Sequence, residues 1–366
     1  MDSQPLTLRE LNRTTLARQF LLEKTSDSVP ETIERLVGIQ SQALSAPFVG
    51  LWTRVSEFSQ NDLANLIQDR SVLKATMMRG TLHLVTATDY LRFRTTLQPM
   101  LELGAAAILK NRGPAIDKKK VLKIARDYFN QEPRSFAEIT SLFGELMPDV
   151  DPGAVRYTIR THLPLVQVPI NAGWSYSGNP KFTLAETWIA RAISPDDNFR
   201  ELVFRYLKAF GPASVIDMQT WSGFSKLRDA LERLRPDLQV YEDEQRRELF
   251  DLPGISLSDA SSPAPERFLP EYDNLLLSHQ KRTRVIADEH RSRVYLPGLR
   301  VRSTFLVDGF VRGAWTIEKT KLAATLLIEP FDELTKHSRR SLSDEAEKLV
   351  RFVEPDAKTY EVRFDP

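Results

Sequence analysis

Gln40 and Gln42 lie one residue apart in "LVGIQSQALSAPFVGLW", between an apolar run and Pro47. Neither carboxamide takes up or releases a proton near neutral pH, so the pair cannot act as a general acid or base. Two such amides can accept hydrogen bonds from one water and turn the negative ends of two dipoles toward a developing cation. That use sets a geometric condition. On a regular helix, side chains at i and i+2 point about 200° apart and cannot converge on one molecule. Pro47 and the small residues of "SQALSAP" place a helix end or irregular turn nearby. Without such a break, two glutamines at this spacing read as surface residues of a helix.

The second candidate is electrostatic. "KRTRVIADEHRSRVYLPGLRVR" gathers Lys281, Arg282, Arg284, Arg291, Arg293, Arg300 and Arg302 against Asp288 and Glu289, in a chain of net charge +1. Attraction to a polyanion must come from such clustering. Alternation in "RVIADEHRSRVYL" predicts two strands joined by "ADEH", a ribbon able to lie along a DNA backbone. The bland reading is a solvated strand face. Arg79, in "RGTLHLV", suits a phosphate contact and a structural turn equally well. His83 follows it, and a histidine on a strand is more often packed than catalytic. The 5 histidines show no metal-ligand spacing, and HExxH, GxGxxG and P-loop signatures are missing. With no cysteine, thiolate ligands and disulfides are excluded. We therefore expect no metal and no cofactor.

These groups need elements to hold them. At 366 residues, 42% hydrophobic and 27% charged, the chain has apolar material for two or three globular units. The charged opening "MDSQPLTLRELNR" has no apolar h-region, and no apolar run reaches the roughly 20 residues of a membrane span. A soluble, cytoplasmic protein is expected. Leu6 to Phe20 predicts a helix capped by Thr7, Val29 to Gln40 a second with Pro30 near its start, and Ser59 opens a third. "LKATMM", "RG" and "TLHLVT" then read as a hairpin, and Asp89 to Lys110 as a long helix. Helices at Asp117 to Phe129, at "SFAEITSLFGEL" with a Ser135/Glu138 capping box, and at "DPGAVRYTIRTH" precede another pair of strands. A third round starts at Phe199. Three helices and a hairpin describe a winged helix, and repetition at about 80 to 90 residues suits tandem small domains. The expected fold is α+β: winged helices at 1–112, 113–193 and 194–255, then a β-rich C-terminal region at 256–366 carrying the basic hairpin. "DLPGISLSDASSPAPER" reads as the boundary loop, "STFLVDGFVRGAWTIEKTKLAATLLIEPF" as a β-meander, and Ser343 to Phe352 as a terminal helix.

"GIQSQALSAPFVGLWTR", "MMRGTLHLV", "FGPASVIDMQTWSGF", "LPEYDNLLLSHQKRTRVI" and "VDGFVRGAWT" together resemble the winged-helix DNA glycosylases of the AlkZ and YcaQ group. The likeness runs in order over nearly the whole chain. Members carry a Gln-x-Gln or Gln-x-Asp catalytic pair near the start, which this sequence matches at Gln40 and Gln42. Gln42 rather than Asp points to the AlkZ-like side, and Ser41 departs from the YcaQ pattern. The resemblance implies a monofunctional DNA glycosylase acting on N7-alkylated purines in double-stranded DNA, with interstrand crosslinks as a further candidate substrate; a monomer is the default expectation. Gln40 and Gln42 would position the attacking water. Such a purine already carries positive charge and leaves as a neutral molecule. The barrier then lies in placing water at C1′ and tolerating an oxocarbenium-like sugar, a task within reach of amides. Lys281, Arg282, Arg284, Arg291, Arg293 and Arg79 would contact DNA. Asp273 resembles a family position and also suits a loop cap. The alternative is a non-enzymatic winged-helix regulator reading the major groove; the near-neutral charge and long β-rich end argue against it.

Overall fold

Helix starts follow the side chains closely. Thr7 and Glu10 close a capping box on Leu8–Arg18, as Ser135 and Glu138 do on Phe136–Leu146. The computed structural model describes residues 4–110, 112 and 116–365. The expected boundary at 112/113 therefore touches a residue outside the described set. The chain divides into two units, one made of residues 1–62, 203–221 and 226–366, the other of residues 63–202 and 222–225.

In the first unit, five strands form one sheet in the order Thr359–Phe364, Ala323–Pro330, Phe310–Lys319, Thr304–Val307, Arg267–Leu269. The meander around Asp308 and Gly309 is antiparallel, with Val307 opposite Phe310. The last strand instead pairs in parallel with Ala323–Pro330, which the alternation of the meander does not announce. Helix Lys336–Val353 begins earlier than Ser343 and buries Leu342, Ala346, Leu349 and Val350. Leu16, Leu269, Leu275, Ile286, Leu306 and Val311 share one core, so the N-terminal helix is built into the C-terminal region. A buried ion pair adds to this, Arg18 to Asp251 at 2.7 and 2.8 Å.

In the second unit the expected hairpin forms, Val72–Thr76 against Leu82–Thr86, with Ala75 opposite His83. Strands Leu165–Gln167 and Lys181–Leu184 form another antiparallel pair. Ala75 pairs with Val166, so both belong to one sheet. Helices Lys118–Gln131, Phe136–Leu146 and Pro152–His162 pack Val121, Phe129, Ile139, Phe143 and Ile159 into one core. Ala87–Leu109 is the long helix, capped by Thr86. Among the described residues, no helix is long and apolar enough to cross a membrane.

Two expectations about the elements fail. The helix from Val29 stops at Arg35 instead of running to Gln40, and the unpredicted helix Ala46–Trp52 follows. The strands expected around "ADEH" do not form. Their place is taken by single turns at Arg282–Arg284 and Asp288–His290 and by the short helix Arg291–Val294. The hairpin lies further on, Tyr295–Leu296 against Arg300–Val301. The turn chemistry explains the shift. Gly298 and Leu299 take φ 77° and 60° there, and a Pro-Gly dipeptide supplies that left-handed step where Asp-Glu does not.

Candidate active site

The glutamine pair sits where helix Val29–Arg35 is stopped and reversed. Val37 and Gly38 both take left-handed backbone, φ 56° and 87°. The Gly38 N–H donates to the Ile33 carbonyl at 2.9 Å and the Val37 N–H to the Glu34 carbonyl at 3.1 Å. This is the double bond pattern of a Schellman motif, with a β-branched residue where glycine is usual. A non-glycine residue held there costs on the order of 1–3 kcal/mol. Burial of the Val37 side chain holds it in place. The chain leaves the turn extended at Ile39–Gln40. Extended backbone sends residues i and i+2 to the same side, so a spacing that diverges on a helix converges here. Gln40 Nε2 donates to Gln42 Oε1.

The two amides are not equivalent. Gln40 is 3% exposed, whereas Gln42 is on the surface. An amide oxygen has two lone pairs. Gln42 Oε1 uses one on Gln40 and keeps one for a water proton. Donation from Gln40 also polarises that carbonyl and strengthens it as an acceptor.

The reversal is clamped by residues from far along the chain. Asn274 Nδ2 donates to the Gly38 carbonyl at 2.6 Å, and Asn274 Oδ1 accepts the Gln40 backbone N–H at 3.4 Å. Asn274 begins the short helix Asn274–Leu277, and Asp273 caps it by accepting the Leu275 N–H at 2.9 Å. Both oxygens of Asp273 also accept from Arg54, at 2.9 and 2.7 Å. Arg54 additionally donates to the Gly50 carbonyl. Arg54 and Asp273 are 2% and 4% exposed, and the two-pronged geometry suits a buried ion pair, with Arg54 Nε left as a buried donor without a partner. Arg54, Asp273 and Asn274 thus fix the main chain that carries Gln40. Asp273 was expected only as a family position or a cap. Arg54 and Asn274 were missed, although both lie inside the stretches that carry the family likeness. Their pairing spans 219 residues for Arg54 and Asp273, which no local pattern encodes.

The other predicted residues fall elsewhere. His83 is buried with Nδ1 3.1 Å from the Thr81 carbonyl oxygen. Burial lowers its pKa to about 3, so it stands neutral at physiological pH. Arg79 is half-buried on the left-handed step of the Met78–Gly80 turn, φ 57°. Arg284, expected at the DNA backbone, is instead a core residue at 3% exposure, donating to Thr15 Oγ1 and the Pro212 carbonyl. Its neighbours Val285 and Ile286 are buried too, and they draw it inward. Arg293 pairs with Glu329 at 3.0 Å and lies over the Phe331 ring; Arg302 holds the same carboxylate. Arg291 pairs with Asp288 at 3.2 Å. Arg282 stacks on Tyr295, and Lys281 donates to Gln245. Three of the seven cations in the run are thus paired with carboxylates, Arg291 with Asp288 and both Arg293 and Arg302 with Glu329. Among the described residues, no group of three or more His, Asp or Glu side chains could hold a metal ion.

Similarity to known proteins covers nearly the whole chain. Residues 33–352 match the family described as DNA glycosylase AlkZ-like. The chain is similar to an interstrand DNA cross-link repair glycosylase of Streptomyces sahachiroi, 23% identical over 368 residues, covering 92% of this chain and 94% of that one. Its fold is similar to the solved structure of the Streptomyces sahachiroi DNA glycosylase AlkZ. The TM-score is 0.79 at 20% identity, over 99% of this chain and 100% of the other.

Proposed function

This chain belongs to the AlkZ-like family of DNA glycosylases, hydrolases of N-glycosyl bonds, and from that premise we propose that it releases N7-alkylated purines from double-stranded DNA with Gln40 and Gln42 positioning the attacking water. The observation that carries this reading is the contact between the buried Gln40 amide and the surface Gln42 carbonyl. In this mechanism the water donates to the remaining lone pair of Gln42 Oε1 and presents its oxygen to C1′. The cationic purine takes the glycosidic electron pair and leaves neutral, and the proton released when water bonds to C1′ passes to solvent, since neither amide can hold it. The Gln42 carbonyl turns its negative end toward the sugar as it gains oxocarbenium character, and the Gln40 N–H polarises that carbonyl from behind. No acid is needed for the leaving group, so ordinary neutral bases are poor substrates.

The same reading extends to purines within interstrand crosslinks, the substrate in the name of the Streptomyces sahachiroi relative. The protein acts as a monomer. The helical part consists of three winged helices, supported by the recurring order of helices and hairpin, most plainly in Lys118–Gln131, Phe136–Leu146, Pro152–His162 and the strand pair after them. DNA contact is made through Lys281, Arg282 and the hairpin after them. Leu299, 91% exposed at its turn and followed by Arg300, suits an apolar wedge between base steps.

The test is base release from duplexes containing N7-methylguanine, with a crosslinked duplex as a second arm. The intact protein should leave alkali-labile sites. Gln40→Ala and Gln42→Ala should each cut single-turnover release by about 10²–10³-fold while duplex affinity stays near that of the parent. A double alanine variant that releases base at the parental rate would sink the assignment.

A further inference from the structure

The described cavities in this protein differ in charge. One mixes Glu102 with Arg94, Lys118 and His162, another Asp27, Glu31 and Glu34 with Arg35, Arg205 and Lys208. A cavity of about 270 Å³ in the second unit has no carboxylate in its lining and instead gathers Arg112, Arg156, Arg160, Phe136, Tyr157 and Phe182. Arg156 and Arg160 lie one turn apart on helix Pro152–His162. Among the described residues, Arg160 makes one hydrogen bond, from Nε to Thr76 Oγ1 at 3.4 Å, and no ion pair. Burial lowers its pKa, and the nearby Arg156 charge pushes the same way. Arg156 lies 5.9 Å from the centre of the Phe136 ring and has no carboxylate partner among the described residues. Arg112 reaches Asp151 at only 3.6 Å, in an exposed pair. The rings of Phe136 and Phe182 meet edge to face at 4.8 Å.

Holding like charges together while removing one of them from water is unfavourable without an anion. Guanidinium forks match phosphate oxygens in pairs. The adjoining rings offer the flat apolar wall on which unpaired bases stack. The volume lies below the roughly 300–1,000 Å³ of typical ligand pockets, so one phosphate and one planar ring are the fitting content.

We infer that this cavity binds a single unpaired nucleotide, its phosphate on Arg156 and Arg160 and its base against Phe136 and Phe182. Nothing in the argument depends on Gln40 or Gln42.

The test uses the full chain and two probes, a short single-stranded oligothymidylate followed by fluorescence anisotropy and thymidine 5′-monophosphate followed by calorimetry. Arg156→Ala and Phe182→Ala should each weaken oligonucleotide binding about tenfold, the loss expected for one stacked base or one charge-assisted contact. Arg156 is on the surface, so its variant should keep the parental melting temperature and separates binding from folding. Losses confined to the monophosphate would identify a free nucleotide as the ligand source. Losses with both probes would identify a strand. Loss with Arg156→Ala but none with Phe182→Ala would reduce the cavity to a simple phosphate contact and overturn the inference. Parental binding of both probes by both variants would overturn it outright.

Discussion

At the scale of residues, the proposed pair has a property that carboxylate-based hydrolases lack: neither side chain titrates. His83, on the hairpin of the second unit, does not fill the gap, since burial has lowered its pKa to about 3. Release of a cationic purine should therefore vary little with pH between about 6 and 9, a range in which no amide changes charge. Gln42→Glu should install a new limb, with rates falling as pH drops through the ordinary glutamate value of about 4.3. The measurement is a single-turnover profile for parent and variant. A bell in the parental profile would mean that some titrating group drives the chemistry. The two amides also have separate work. In the proposed mechanism Gln42 meets the water, while Gln40 orients and polarises Gln42 from behind.

At the scale of elements, the site is a helix end held by a distant ion pair. If Asn274 acts through the Gln40 main chain, Asn274→Ala should lower the single-turnover rate about 10²-fold, the usual effect of a small misplacement. It should cost almost nothing more in a Gln40→Ala background, because residues acting as one unit are not additive. Additive losses in that cycle would assign Asn274 a merely structural role. Arg54 is less suited to such a test, since removing it leaves Asp273 buried and unpaired at about 3–5 kcal/mol. A second tether holds the basic hairpin. Glu329 has its pKa lowered first by the hydrogen bond from Arg302, with Arg293 adding to it. A lowered carboxylate pKa stabilises the fold above the unfolded value of about 4.3 and loses that effect as pH falls through the folded value. Glu329→Gln should therefore lower the melting temperature at pH 7, and the difference from the parent should close in acid. Much of this level was legible. The N-cap at Thr7, the capping box at Ser135, the hairpin around Met78–Gly80 and the meander around Gly309 follow from local chemistry. The early stop at Arg35 was signalled only by Gly38, because apolar spacing runs on through Leu36 and Val37. The clamp on Gln40 was not legible at all, since its partners meet only once the fold is made.

At the scale of the whole molecule, a net charge of +1 leaves little long-range attraction for a polyanion, so DNA affinity must rest on a few cations without carboxylate partners. A sequence shows how many arginines a segment has and not which of them are already compensated. Glu329 takes up Arg293 and Arg302, Asp288 takes up Arg291, and the core takes up Arg284. Lys281 and Arg300 remain on the surface with neutral partners, Gln245 and the Pro297 carbonyl. Each phosphate contact contributes about 0.9 to the slope of log affinity against log salt. Lys281→Ala or Arg300→Ala should therefore reduce that slope by about one and weaken duplex binding across all sequences alike. Arg293→Ala frees a carboxylate instead of removing a phosphate contact, so the slope should stay near the parental value while the hairpin loosens. Titrations at several salt concentrations decide between the two cases. Equal slope changes for Arg293→Ala and Arg300→Ala would mean that the hairpin arginines exchange Glu329 for phosphate on binding, and that the free protein's ion pairs do not select which cations meet DNA.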